Sequence, residues 1–230
     1  MGVGLISTFG WGISALISLI VAIVFTFAYL REKEKGLKYF AQYIWARFAF
    51  FIFIALALPI YLLTKSELIS GIFISLWWTA IFISFIPLVF LYCNFRDKEI
   101  QKYLLSAVIA IVVIAVSYVW IEFSPAVYST ETEIISQPVP NLVSAYLYPF
   151  PKLMLLTLLM FLFWGTGAKT AGNVKTRSLL FGFGFLMIAT TILMVSLIPP
   201  FWNGAYCCIG DILLLLGIMA KPKKVQEQEQ

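Results

Sequence analysis

Long apolar runs, each parted from the next by a few polar residues, make up most of this chain. They cover approximately 5–30, 39–63, 68–93, 103–123, 142–168, 179–198 and 201–220. A hydrocarbon core about 30 Å thick needs about 20 residues of helix at 1.5 Å per residue, and every run is that long. The runs are continuous rather than alternating, so they read as helices and not as barrel strands. Backbone groups in lipid must be satisfied within the segment, which again selects helix. The expected fold is an all-α integral membrane protein with seven transmembrane helices in one bundle. The bundle is a single domain over 1–220, followed by a short polar tail at 221–230.

Composition agrees with this. Hydrophobic residues make up 62% of the 230, charged residues only 12%, and mean hydropathy is +0.96. Soluble domains carry about 25% charged residues. The net charge of +5 comes from basic residues gathered at polar breaks: Arg31 to Lys38, Arg96 to Lys102, Lys169 to Arg177 and Lys221 to Lys224. Such clusters mark cytoplasmic loops, and they explain the charge without nucleic acid as a partner. The N-terminus and the 124–141 stretch are therefore expected outside and the C-terminus inside, in a multi-pass protein of the plasma membrane. Lys65 and Lys152 fall on the outer side, where Lys152 is expected to snorkel to the interface.

The polar breaks are short except for Ser124 to Asn141, which reads SPAVYSTETEIISQPVPN. It is expected to be an irregular outer loop, with a short hairpin or interfacial lid as the alternative. Pro59 and Pro87 are expected to kink their helices. Trp120, Tyr128, Tyr148 and Trp202 sit where interfacial aromatic belts lie. A possible outer pocket lined by Tyr146, Tyr148, Trp202 and Tyr206 is the competing reading.

Two charges lie deep in the apolar runs, Asp211 in the seventh and Arg47 in the second. A charge at the centre of a membrane helix costs about 2.5–3.5 kcal/mol on insertion scales. Each is about 13 Å from the inner boundary by helical rise, so pairing is geometrically open to them. Otherwise Asp211 is protonated and bonded to a hydroxyl. Cys207, Cys208 and Gly204 precede Asp211 by four, three and seven residues and share its helix face. These small residues let a neighbouring helix approach closely in lipid. This buried polar core is either a structural ion pair or part of a cation relay or ligand cavity.

Enzymatic chemistry has little footing. There is no histidine, and the three cysteines form no CxxC spacing. No cofactor or metal is expected. The glycine pairs Gly10 and Gly12, Gly165 and Gly167, and Gly182 and Gly184 are GxG rather than a phosphate loop. Intramembrane proteolysis by paired aspartates lacks its second membrane Asp, because Asp97 is in a loop.

Span count, orientation and length superficially resemble microbial rhodopsins. Their retinal-bearing lysine has no counterpart, since the last helix has no lysine before Lys221. The pattern is also similar to small sugar transporters with a three-plus-one-plus-three arrangement. Pro59 and Pro199 fall at the outer ends of the second helices of the two triples. The Pro-Gln dipeptide of the related transporters is absent, and no family is assigned. Seven-helix sensory modules share the pattern too. By elimination the expected function is that of a non-catalytic accessory subunit of a larger membrane complex, with lipids and other membrane subunits as partners. A small-solute or ion transporter, and a receptor-like sensor acting through a separate partner, are the alternatives.

The orientation has a direct check. In a chain freed of its native cysteines, Thr130→Cys should react with an impermeant maleimide on intact cells, and Gln226→Cys only after permeabilisation. The opposite labelling pattern inverts the topology.

Overall fold

The computed structural model describes residues 3–95, 98–131, 134–138, 142–194 and 200–220, so the expected tail at 221–230 lies outside the described residues. Helices dominate: α1 Val3–Glu32, α2 Lys35–Thr64, α3 Glu67–Ile83, α4 Phe85–Cys93, α5 Lys98–Ile121, α6 Pro149–Lys169, α7 Gly172–Met194 and α8 Pro200–Met219. Six segments are long and apolar enough to cross a membrane, α3 and α4 counting as one, and Gly204–Met219 is a shorter seventh. Length and composition thus mark an integral membrane protein.

The expected third helix is divided at Ser84. Pro87 has no N–H for the carbonyl of Ile83, and its ring crowds that carbonyl. Ser84 takes up the break, its Oγ donating to Ile81 O at 2.6 Å. Pro59, by contrast, sits inside an uninterrupted α2. Between α2 and α3, Lys65 turns the chain with φ 54°, and Ser66 Oγ accepts the Ile69 N–H at 3.3 Å as an N-cap.

The 124–141 stretch is not irregular throughout. Val127–Ser129 (β1) pairs antiparallel with Ile134–Ser136 (β2), with Tyr128 opposite Ile135. The hairpin is fastened to α3. Ala126 N donates to Glu67 O at 3.0 Å, and the Gln137 amide exchanges bonds with Ser75 Oγ at 3.1 and 3.2 Å. A Cβ at Gly71 would lie 3.0 Å from Ala126 N, so the missing side chain is what lets the loop lie on the helix. A short π-helix, Leu142–Leu147, follows, and Pro149 opens α6 at the position where a missing N–H costs least.

Neighbour relations close the helices into a ring. α1 packs on α2 and α8, α2 on α3 and α4, α4 on α6, α6 on α7 and α7 on α8. α5 lies outside this ring against α3, α4 and the π-helix. At the end rich in basic residues, Phe25, Phe40, Phe163, Phe181 and Phe185 fill the interior, with Phe40 and Phe181 centroids 4.8 Å apart. Glycines bring α7 and α8 together: a Cβ on Gly210 would meet Ile188 Cγ1 at 2.6 Å and Gly184 O at 3.1 Å.

Gly210→Ala should therefore lower thermal stability in mild detergent, by about 1–3 kcal/mol for an overpacked core position. Gly165→Ala, at a site with nothing within 4 Å, should leave it unchanged or raise it.

Candidate functional site: a polar layer beneath a cavity

Near its middle, the ring holds a cross-link of three helices. Arg47 Nε of α2 donates to Asp211 Oδ1 of α8 at 2.9 Å, and Ser18 Oγ of α1 donates to Asp211 Oδ2 at 2.6 Å. Arg47 is 3% exposed and Asp211 0%. The guanidinium reaches the Cys207 carbonyl at 3.5 Å and lies 5.1 Å from the Phe51 ring centroid. Both carboxylate oxygens are thus occupied, which is the condition under which a buried pair is tolerated.

Around this pair, α1 and α8 approach closely. Ser14 Oγ donates to Gly10 O at 2.9 Å and to Gly204 O at 3.3 Å, while the Cys208 thiol donates to Ser14 Oγ at 3.2 Å. A Cβ on Gly204 would lie 3.0 Å from Ser14 Oγ, so glycine sets the helix separation here. All five residues expected in the polar core, Asp211, Arg47, Cys207, Cys208 and Gly204, lie along this α1–α2–α8 seam.

Towards the hairpin, the ring does not fill. A cavity of about 740 Å³ lies among α1, α2, α3, α6, α7 and α8. Strand β2 and Gln137 contribute to its wall at the hairpin end, and Arg47 and Cys207 line it deeper along α2 and α8. Aromatic residues form much of the lining: Trp11, Phe50, Trp77, Trp78 and Tyr148. Its size falls in the range of small-molecule pockets, about 300–1,000 Å³.

Lys152 also lines this cavity, at 5% exposure. This corrects the expectation that it snorkels to the interface. Its position continues the buried stripe of α6, Leu155, Leu156, Leu159 and Phe163, at spacings of three to four. α6 is apolar on every face in the sequence, so this stripe emerges only from the packing of the helix. Its ammonium lies 5.0 Å from the Tyr148 ring centroid and 5.7 Å from that of Phe50. Among the described residues no carboxylate pairs with it.

Of the expected outer pocket of Tyr146, Tyr148, Trp202 and Tyr206, only Tyr148 among the described side chains lines the cavity. Tyr148 faces the cavity edge-on to Trp78 at 5.5 Å, while Tyr146 and Tyr206 are exposed and line no part of it. The Trp202 side chain lies outside the described residues. Ser18, Lys152, Trp77, Trp78 and Gln137 are the site residues that sequence reasoning missed.

Comparison with protein-family models, with curated proteins and with solved structures gives no match for this chain.

The ion pair is open to a double-mutant cycle. Asp211→Asn and Arg47→Gln should each lower stability by about 3–5 kcal/mol, because each strands the other buried group. The double variant should lose less than the two single losses combined, read as thermal unfolding in lipid nanodiscs. Additive losses would remove the coupling.

Proposed function

We propose that the chain is a non-catalytic, multi-pass protein of the plasma membrane, with its N-terminus and hairpin outside, that transports a small solute through its interior cavity. The observation that carries this reading is the cavity itself: about 740 Å³ within a ring of helices, lined by aromatic rings and two buried basic side chains. A static scaffold in lipid gains packing by filling such a space. Below the cavity lie the Arg47–Asp211 pair and then the phenylalanine cluster, a barrier that would have to open for passage. Ligand sites in transporters sit at mid-membrane beside interrupted helices. Here the breaks are at Ser84 and at the π-helix preceding Tyr148.

The peripheral α5 between two triples supports the three-plus-one-plus-three reading of the sequence. A seat in a larger membrane assembly draws only on apolar outer faces, such as Phe9, Leu16, Ile20 and Phe27 of α1, which lipid covers as well as protein does. A receptor-like sensor would use the same cavity without opening it to both sides.

That difference is measurable. In a Cys93→Ala, Cys208→Ala chain, Cys207 is the one thiol left, deep in the cavity wall. Transport by alternating access predicts its modification by an impermeant thiol reagent in both right-side-out and inside-out vesicles. Modification from one face alone overturns transport and leaves the sensor reading.

A further inference from the structure

Among the described residues, the interior of the bundle holds two buried basic side chains, Arg47 and Lys152, and one buried acidic side chain, Asp211. Asp211 is committed to Arg47 and Ser18 through both oxygens. Lys152 is then left with two ring faces and the open cavity. Ring faces attract an ammonium, yet they do not replace the oxygen partners it loses on leaving water. A cation nineteen-twentieths buried, lining a cavity and lacking a carboxylate, is arranged for a negative group that arrives with the ligand.

The uncharged polar residues of the wall carry hydroxyls, indoles and one amide. Trp77 and Trp78 line the cavity, and neither indole Nε1 has an acceptor. The Gln137 amide, which could have offered an oxygen, is already engaged by Ser75 and by the Ser124 carbonyl at 2.6 Å. Ser7, Thr8, Ser136, Ser144 and Thr191 add hydroxyls, which can donate or accept, and most of the remaining lining is apolar, with Ile54, Leu58 and Ile192 among its members. A buried lysine with no carboxylate partner among the described residues, set in a mostly apolar wall, describes the complement of an amphiphilic anion.

We propose that Lys152 anchors a ligand carrying a single acidic group on an apolar body, a carboxylate-ended amphiphile being the best fit. One unmatched positive charge suits a monoanion better than a dianionic phosphate. The inference rests on the ligand-binding reading of the cavity and specifies its ligand class. A membrane offers two sources of such chemistry, a free organic acid and the headgroup of a singly charged lipid.

The test uses the full chain in nanodiscs of phosphatidylcholine, with dansyl-labelled undecanoic acid and its methyl ester as probes. The expected result is saturable binding of the acid, with the ester at least about tenfold weaker, the order of one lost charged contact. This comparison needs no variant. Lys152→Met should bring acid and ester to equal affinity, Lys152→Arg should keep their difference, and Lys102→Gln should change neither. Competition by unlabelled undecanoate identifies a free acid as the ligand type, and competition by phosphatidylglycerol in the disc identifies a lipid headgroup. Equal saturable binding of acid and ester overturns the anion proposal while leaving the cavity a ligand site. Failure of both probes to bind overturns the anion proposal and counts against the cavity reading with it.

Discussion

A buried carboxylate and a buried guanidinium constrain everything else in this bundle. Each would be costly alone in hydrocarbon, and together they are tolerated only when every strong lone pair has a donor. Meeting that condition requires α1, α2 and α8 to converge at one depth, so that Ser18, Arg47 and Asp211 touch. Gly204 and Ser14 then set how closely α1 and α8 run. The ring closes at this seam, where the first helix meets the last.

The pair also separates two halves of different character. Towards the basic end, phenylalanines from α1, α2, α6 and α7 pack ring against ring in the core. Towards the hairpin, bulky rings line the wall rather than fill the centre, and the hairpin supplies part of that wall. Its fastening to α3 through Gln137, Ser75 and the Glu67 carbonyl ties that wall to the bundle. The cavity is thus built from the bundle and its longest loop together, and both supply polar groups to it.

Prolines act here according to their neighbours rather than by their presence. Pro87 stands beside a local interruption at Ser84, where the backbone stays near helical, whereas Pro59 leaves α2 continuous. Pro149 and Pro151 open α6 just after a π-helical turn, the point where Tyr148 and then Lys152 enter the cavity wall. Irregular backbone and polar side chains therefore meet at the same end of the bundle. Such meeting is permitted in a membrane protein only where protein or a cavity, not lipid, surrounds it.

The amino-acid sequence alone determined the class, a helical membrane protein with six to seven long apolar helices. Lipid imposes continuous apolar runs of fixed length, and no other solvent makes that demand. It also singled out Arg47 and Asp211, because a charge in such a run has no bland explanation. Which way each helix turns was decided by tertiary structure. In a soluble protein the apolar stripe marks the core, but here lipid and core are both apolar, so hydrophobicity does not separate inner from outer faces. Lys152 illustrates the consequence: near a helix end it reads as an interfacial anchor, and only the packing of α6 against α4 and α7 shows it facing inward. The fastening of the hairpin to α3, the Ser18–Asp211 contact and the cavity belong to the same class. Each depends on contacts between residues far apart in the chain, such as Gln137 with Ser75 and Ser18 with Asp211, for which local pattern carries no signal.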